Sequence, residues 1–228
     1  MLKKPPALQA LTGICALSSV SSSQSSGQLN ILVLASGSGT NLQALIDAQT
    51  RGELGRGRIV AVLSDRKGAY ALERARAAGI PALSVKLNKD RPREIRRQEL
   101  SDYILDFAQT HGIDLIVYAG FLWVLKGAII EVYSGRMINL HPALLPKYGG
   151  LGMYGDHVHR AVLAAGETES GCTVHLVEAG VDTGAVLLQR KVPVLPNDTP
   201  ESLAERIHKE EHIAIVDAVK MMVERRTK

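Results

Sequence analysis

The sequence is poor in aromatic residues and in long apolar runs, and each scarcity excludes a class of protein. Aromatic residues make up 4% of the 228 residues, with one Trp, so a stacking surface for single-stranded nucleic acid is not expected. The longest apolar run, 113–125, contains Asp114 and is shorter than the roughly 18 residues that span a membrane. The sequence therefore predicts neither a nucleic-acid partner nor a membrane partner.

Cysteine is also scarce. Cys15 and Cys172 are the two cysteines, and they are far apart in the chain. Two isolated thiols form neither a disulfide framework nor the closely spaced ligand pairs of a zinc site. We therefore expect a protein of the reducing cytoplasm.

Acidic residues are missing from the first 30 positions, which contain Lys3 and Lys4. The formal net charge is +4 for the whole chain. Without those two lysines, 25 basic and 23 acidic residues remain, a net charge of +2. Such mild basicity suits small anionic ligands better than a nucleic acid.

Residues 1–28 are expected to form a disordered or low-complexity tail, and residues 29–228 a catalytic domain. The tail begins with Lys-Lys-Pro-Pro after two residues and ends in a Ser-rich run, a composition too polar to bury a core. Its basic start and lack of acids also resemble a targeting peptide, although prolines and polar residues interrupt its apolar part. The preferred interpretation of this tail is a disordered extension without a targeting role, or the choice of an upstream start codon.

From residue 30 onward, short apolar runs alternate with longer amphipathic ones. The runs predict strands at 31–35, 58–63, 81–85, 113–119, 136–140, 172–178 and 185–194. The amphipathic segments predict helices at 41–51, 70–78, 93–110 and about 200–223. In the helix at 93–110, Ile95, Leu100, Tyr103, Ile104 and Phe107 are expected on the apolar side. This alternation predicts a single α/β domain with a mostly parallel, Rossmann-like sheet flanked by helices.

The first strand leads into the sequence Ala-Ser-Gly-Ser-Gly-Thr-Asn-Leu and then a helix. Glycines allow the backbone to approach an anion, and the helix N-terminus supplies free amides. A dinucleotide loop would have Gly or Ala where Leu42 stands, although Asp65 could mimic its ribose-binding acid. The loop fits the binding of a single phosphate by Gly39, Thr40 and Asn41 better than the binding of a dinucleotide. The alternative without a ligand is a tight turn that leads into a capped helix.

The sequence Asn-Leu-His-Pro at 139–142 carries the strongest chemical signal. Pro142 favours an extended His141, so Asn139 and His141 should project from one face. An amide and an imidazole at a strand end can stabilise an oxyanion and move a proton. Asp182, in a loop flanked by glycines, could reach His141, raise its pKa and orient it. Without further support, each of these side chains could equally be a capping or turn residue.

Other histidines were considered as ligands or as cavity residues. Thr173 and His175 alternate along a predicted strand and are expected to line the same cavity as His141. A metal site of His141, His157, His159 and His175 is disfavoured, because residues 157 and 159 would diverge at the start of a helix. No metal is therefore expected.

Several motifs, in a shared order, closely resemble the phosphoribosylglycinamide formyltransferases, which belong to the formyltransferase family. They are ASGSGTNLQALID, LERARAAGI, YAGFLWVL, INLHPALLPKY, GCTVHLVEAGVDTGAVLLQ and VPVLPNDTPESLAERIHKEEH. The resemblance extends from about residue 29 to the C-terminus. It implies transfer of a formyl group from 10-formyltetrahydrofolate to the amine of glycinamide ribonucleotide in purine biosynthesis.

The resemblance also implies roles for individual residues. Catalysis would use Asn139, His141 and Asp182, with Asp182 keeping His141 protonated. The substrate would be bound by Gly39, Thr40, Asn41, Arg93 and Glu211. The folate would be bound by Trp123, Val124, Leu125, Ala179, Gly180 and Val181. The partners would be these small molecules, and the chain would be a monomer or a homodimer.

Two segments depart from the family pattern. Residues 122–125 read Leu-Trp-Val-Leu, where many members have Met-Arg-Ile-Leu, so an arginine contribution to folate binding is not expected at Trp123. Residues 151–155 form a segment longer than in compact members.

Related functions that share the chemistry are methionyl-tRNA formyltransferase, which adds a C-terminal domain, and formyltetrahydrofolate hydrolase, which adds an N-terminal one. A non-catalytic nucleotide-binding module is the alternative from another class.

Overall fold

The computed structural model describes residues 27–226. The prediction of a tail at 1–28 therefore falls, apart from its last two positions, outside the described residues. Within them, the strands are β1 Leu29–Leu34, β2 Gly57–Ser64, β3 Ala82–Ser84, β4 Leu115–Tyr118, β5 Met137–His141, β6 Glu169–Leu176 and β7 Val186–Pro193. The helices are α1 Thr40–Thr50, α2 Tyr70–Ala77, α3 Arg93–Thr110, α4 Ala128–Val132, α5 Asp156–Ala164 and α6 Pro200–Arg225.

The strands form one sheet of seven in the order β3-β2-β1-β4-β5-β6-β7. The pairs from β3 to β5 are parallel, whereas β6 and β7 add to the sheet in antiparallel orientation. The predicted α/β fold with a mostly parallel sheet is confirmed. The chain moves away from β1 in one direction through β2 and β3 and in the other through β4 and β5. In such sheets, the crevice at the carboxyl ends of the two strands flanking the reversal binds ligands.

Alternate residues of the central strands enter two separate cores. On β1, Ile31 and Val33 belong to the core that includes α1 and α6, whereas Leu32 and Leu34 belong to the core that includes α3 and α4. All four are fully buried. Because helices cover both faces, the strand has no polar alternation, which explains why β1 appears as a continuous apolar run in the sequence.

The last helix begins with a well-formed cap. Thr199 accepts a hydrogen bond from the backbone N–H of Ser202, the Ser202 side chain accepts one from the Thr199 backbone, and Pro200 occupies the first turn. These contacts satisfy amides that the helix itself leaves free. They fix the start of α6, which packs along α1, α5, β6 and β7. None of the helices in the described range is both long and apolar enough to cross a membrane.

Two details of the helix predictions were wrong or incomplete. Ile95 was expected on the buried side of α3, but it is 41% exposed, whereas Ile104 is fully buried. Nine residues at 3.6 per turn rotate a side chain by about 180° to the opposite face, so the two isoleucines point in opposite directions. The helix α4 was not predicted, since its five residues are too few to show a period.

This difference between the two isoleucines gives a matched stability test. Ile104→Ala should lower the free energy of unfolding by about 2–5 kcal/mol, because it leaves a cavity in the core. Ile95→Ala removes the same atoms from a solvent-facing position and should cost less than about 1 kcal/mol. Urea unfolding followed by circular dichroism measures both. Equal losses in the two variants would contradict the assigned packing of α3.

Candidate active site

A cavity of about 340 Å³ lies at the carboxyl ends of the parallel strands. Its walls come from the loop after β1, the segment after β4, the end of β5 and the loop between β6 and β7, with further residues from α5 and α6. The first three segments follow β1, β4 and β5, and parallel strands bring their carboxyl ends to one edge. The loop between β6 and β7 follows an antiparallel strand and reaches the cavity from beside β5. The cavity is within the size range of small-molecule sites.

The glycine loop after β1 presents an uncapped helix N-terminus to this cavity. Gly39 immediately precedes α1 with φ of 72°, and no side chain caps the helix. The carbonyl of Gly37 accepts a hydrogen bond from the Ala71 amide, and that of Ser38 accepts one from the Arg74 guanidinium. With these carbonyls held by α2, the free amides at the start of α1 and its positive dipole end are available to an anion.

Glu211 of α6 closes the same end of the cavity. Its side chain accepts a hydrogen bond from Asn41 Nδ2 at 3.1 Å, and the residue is 5% exposed. Burial raises the pKa of Glu211, although Asn41 and the charge of His208 act in the opposite direction. The carboxyl group of Glu211 is therefore harder to ionise than that of an exposed glutamate.

The polar cluster at the end of β5 brings together all three side chains that the sequence singled out. Asn139 and His141 both line the cavity with Asp182. Asp182 Oδ2 lies 3.5 Å from His141 Nδ1, and its Oδ1 lies 3.4 Å from Asn139 Nδ2. The Leu140 side chain between them joins the core, as the alternation predicted. The proximity of Asp182 to His141 follows from the fold, since 41 residues separate them in sequence.

His175 is a fourth member of this cluster. The register between β5 and β6 sets it directly opposite Asn139, and its Nε2 lies 3.1 Å from Asn139 Nδ2 and 3.5 Å from Asp182 Oδ1. Burial alone would raise the pKa of Asp182, but the contacts with His175 and the Gly150 amide lower it below its ordinary value. Asp182 is therefore an anion at neutral pH.

His141 is nearly buried, with 3% of its surface exposed. Its Nε2 lies 2.7 Å from the Tyr148 carbonyl, while Nδ1 faces Asp182, so both ring nitrogens face oxygen acceptors. Burial lowers the pKa of His141 below its ordinary value, because desolvation of the cation outweighs the attraction of Asp182 and the Tyr148 carbonyl. Asp182 raises the pKa of His141, as expected, but burial outweighs this effect and the net shift is downward. That Asp182 keeps the ring protonated stays a prediction.

The segment after β4 forms an apolar wall. Trp123, Val124 and Leu125 line the cavity, and Trp123 Nε1 donates to Asp65 Oδ2 at 3.0 Å. Arg97 donates to the Val124 carbonyl at 2.5 Å, which ties the segment to α3.

Most of the predicted binding residues line the cavity, including Gly39, Thr40, Gly180 and Val181. The exceptions are Arg93, Ala179 and Thr173. Arg93 has its guanidinium carbon 5.9 Å from the centre of the Trp123 ring, and Ala179 stands beside the lining residues Glu178 and Gly180. Thr173 was expected to line the cavity, but it is fully buried and bonds to the Ala143 carbonyl and the Leu145 amide.

Sequence reasoning assigned no binding role to His159 or His208, which also line the cavity. His208 lies one helical turn before Glu211, so the spacing of i and i+3 was the available signal. His159 was considered only as a metal ligand. Among residues 27–226, no three His, Cys, Asp or Glu side chains are arranged to hold a metal ion.

Comparison with known proteins agrees with this geometry. The Formyl transferase family matches residues 29–219. The phosphoribosylglycinamide formyltransferase of Escherichia coli K12 is 41% identical over 184 residues, which cover 81% of this chain and 82% of that protein. A trifunctional purine biosynthetic protein of Drosophila melanogaster is 45% identical over 85% of this chain, which corresponds to only 14% of that longer protein.

The fold matches solved structures as well. The glycinamide ribonucleotide transformylase 1 of Symbiobacterium toebii superposes with a TM-score of 0.78 and 41% identity, covering 87% of this chain and 89% of that one. The sheet order and the cavity at the strand ends define a doubly wound α/β fold with a cavity at the point of strand reversal. The chain belongs to the formyl transferase family.

The glycine loop allows a test with two substitutions of the same type. Gly39 and Gly52 both have φ near 70°, but a Cβ on Gly39 would lie 2.7 Å from Ala71 Cα, whereas one on Gly52 would meet nothing within 4 Å. Both Gly39→Ala and Gly52→Ala should lower the free energy of unfolding by about 1–2 kcal/mol, because alanine is strained in the left-handed conformation. Gly39→Ala should lose about 1–3 kcal/mol more through overpacking. Thermal unfolding compares the two; an equal loss in both would refute the close packing of the loop on α2.

The electrostatics of His141 can be measured directly. Asp182→Asn should lower the pKa of His141 further, because it removes a carboxylate that favours the charged ring and leaves burial unchanged. Titration of the histidine ring protons by NMR gives this value. Asp156→Asn, which removes a carboxylate near His159 instead, is the control and should leave the His141 curve in place. An unchanged or raised pKa of His141 in Asp182→Asn would contradict the described contact.

Proposed function

We propose that this protein transfers a formyl group from 10-formyltetrahydrofolate to the amine of glycinamide ribonucleotide, giving N-formylglycinamide ribonucleotide and tetrahydrofolate in purine biosynthesis. The observation that carries the proposal is a single cavity with three chemically distinct parts. An uncapped helix N-terminus, the Asn139, His141 and Asp182 cluster, and an apolar wall all line it. The relatives in E. coli and S. toebii bear names for this reaction.

The nucleotide would occupy the end of the cavity formed by α1 and α6. Gly39, Thr40 and Asn41 offer amides to its phosphate, and Glu211, held by Asn41, is positioned to bind the ribose hydroxyls. The proposal gives Arg93 no contact with the phosphate, because Arg93 lies against Trp123 and does not line the cavity. The amine of the substrate would then extend toward His141.

The folate would occupy the apolar part. Trp123, Val124 and Leu125 form one wall, and Gly180 and Val181, which follow Ala179, lie in the loop on the other side. This arrangement fits a flat heteroaromatic ring whose formyl-bearing nitrogen faces the polar cluster. The chemistry below needs no metal ion.

The residues of the cluster can carry each proton and charge in the reaction. As the amine nitrogen bonds to the formyl carbon, negative charge develops on the formyl oxygen. Asn139 Nδ2 can release its long contact with Asp182 Oδ1, at 3.4 Å, and donate a hydrogen bond to that oxygen instead. One such donor is typically worth about 10²–10³ in rate. The amine then has a proton to lose, and a neutral His141 is the base that accepts it, directly or through water.

Asp182 makes this proton transfer favourable at the moment it is needed. Its carboxylate lies 3.5 Å from His141 Nδ1, so it stabilises the imidazolium that forms. The charged ring then gives the proton to the folate nitrogen as the bond between that nitrogen and the formyl carbon breaks. Proton, electron pair and formyl group are thus all accounted for, and His141 returns to its neutral state.

The remaining expectations are proposals of the same kind. Residues 29–228 would be the catalytic domain, acting as a monomer or homodimer on small molecules, with neither nucleic acid nor membrane as partner. A cytoplasmic location is supported by Cys172, a buried free thiol that suits a reducing compartment.

The direct test is the reaction itself, with purified protein, glycinamide ribonucleotide and a 10-formyl folate, followed by the absorbance of the deformylated product. His141→Ala should reduce turnover by about 10²–10⁴, because it removes the proton acceptor, and Asp182→Asn should reduce it strongly as well. His157→Ala changes an exposed histidine on α5 and should retain full activity.

Each alternative outcome has a distinct meaning. No acceptor-dependent turnover between pH 6 and 9 would overturn the proposed reaction. Formyl release without the acceptor would instead identify a hydrolase. Full activity in both His141→Ala and Asp182→Asn would refute the roles given to those residues, provided that their circular dichroism spectra match the unmutated protein.

A further inference from the structure

The two ring nitrogens of His141 have unequal surroundings. Nε2 lies 2.7 Å from the Tyr148 carbonyl oxygen, which is a normal hydrogen-bond distance, whereas Nδ1 lies 3.5 Å from Asp182 Oδ2. A neutral imidazole carries one ring proton, so one nitrogen donates and the other presents a lone pair. The hydrogen bond that one nitrogen makes decides which of the two keeps the proton.

These distances favour a proton on Nε2. With the proton there, the ring donates to the Tyr148 carbonyl at 2.7 Å. With the proton on Nδ1 instead, the Nε2 lone pair would point at a carbonyl oxygen at this short distance, and the two would repel because neither supplies a hydrogen. The contact with Asp182, at 3.5 Å, is too long for a normal hydrogen bond to hold the proton on Nδ1. The geometry thus favours the Nε2–H tautomer, whose lone pair is on Nδ1.

The direction of the Tyr148 carbonyl depends on a rare backbone conformation. Tyr148 has φ of 57°, in the left-handed region that residues other than glycine seldom enter. Such a conformation persists only where the surrounding contacts impose it. The Tyr148 ring packs against the core, and its hydroxyl donates to Glu167 Oε1 at 2.9 Å. The residue is therefore anchored through its side chain as well as through its carbonyl.

The same short segment also holds Asp182. The Gly150 amide donates to Asp182 Oδ2 at 3.0 Å, and Oδ2 is the oxygen that faces His141 Nδ1. His175, which also acts on the charge of His141, contacts the other carboxylate oxygen, Oδ1. Residues 148 and 150 thus hold both members of the His141 and Asp182 pair, and they leave Nδ1 and Oδ2 facing each other.

We propose that Tyr148 is a positioning residue, whose carbonyl keeps a proton on His141 Nε2 throughout the reaction, so that Nδ1 is the nitrogen that takes the amine proton and returns it. The inference rests on the proposed function and deepens it, by naming the reacting nitrogen. The N–H bond of the amine breaks as its proton adds to the Nδ1 lone pair. That proton then leaves Nδ1 for the folate nitrogen, which keeps the electron pair of its broken bond to the formyl carbon. Between the two transfers, Asp182 Oδ2 stabilises the charged ring.

Nitrogen-15 NMR of the ligand-free protein identifies the tautomer directly. Burial lowers the pKa of His141 below its ordinary value, so the ring is neutral at about pH 8. His141→Gln lacks the ring and therefore assigns its signals. In the unmutated protein, Nε2 should have the chemical shift of a protonated ring nitrogen and Nδ1 that of a bare one. The reverse pattern would overturn the inference and leave formyl transfer untouched.

Two substitutions remove the same ring but differ in the backbone that they tolerate. Asparagine enters the left-handed region more readily than other residues with a side chain, whereas a β-branched residue is strongly disfavoured there. Tyr148→Asn should therefore keep the Nε2–H tautomer and most of the activity. Tyr148→Val should turn the carbonyl away, give a mixture of tautomers and lower kcat about tenfold, as expected for one lost hydrogen bond. Both KM values should change little, because the contact acts on proton transfer and not on binding.

The outcomes separate this inference from a purely structural role and from the proposed function. Loss of activity in Tyr148→Val with the Nε2–H tautomer unchanged would overturn the inference, because the residue would then act on structure alone. Loss of both the tautomer and the activity in Tyr148→Asn would overturn the part given to the left-handed backbone. If Tyr148→Val does not fold, the unmutated protein and Tyr148→Asn still decide the question. An Nε2–H tautomer in an unmutated protein without acceptor-dependent turnover would support the assigned hydrogen bond and contradict the proposed reaction.

Discussion

Everything in the site depends on the parallel pairing of β1, β4 and β5. This pairing brings three chain segments to one edge of the sheet, although the glycine loop at 37–41 is far in sequence from the other two, at 119–125 and 139–141. The glycine loop follows β1, the apolar wall follows β4, and the polar cluster begins at the end of β5. The antiparallel addition of β6 then sets His175 opposite Asn139, and the loop after it returns Asp182 to the same cluster. Binding and chemistry are thus consequences of strand order.

Within that frame, burial and charge compete at His141 and at Glu211. At His141, burial outweighs the neighbouring carboxylate, so the ring is held neutral beside an anion that stabilises it once it is protonated. At Glu211, burial raises the pKa of the carboxyl group. Desolvation therefore opposes the charged form of both residues.

The sequence was sufficient to predict the fold because its strand and helix signals are local. Continuous apolar runs predicted buried parallel strands, and the spacing of Asn139 and His141 placed both on one face. The state of His141 could not be predicted in this way, because its desolvation depends on how residues from several elements pack around it. The position of Thr173 could not be predicted either, because its hydroxyl accepts a hydrogen bond from the Leu145 amide and does not line the cavity. The position of His159 in the cavity lining was also not predicted, since burial of its Nδ1 without a partner among the described residues is visible only in three dimensions.

The central claim is that one cavity holds the phosphate at the start of α1 and the reacting amine at His141. A crystal structure with glycinamide ribonucleotide and a non-transferable folate analogue tests it most directly. We expect phosphate oxygens within hydrogen-bond distance of the amides of Gly39, Thr40 and Asn41, and the substrate amine within reach of His141 and Asn139. A phosphate bound elsewhere, or an amine directed away from the polar cluster, would contradict it.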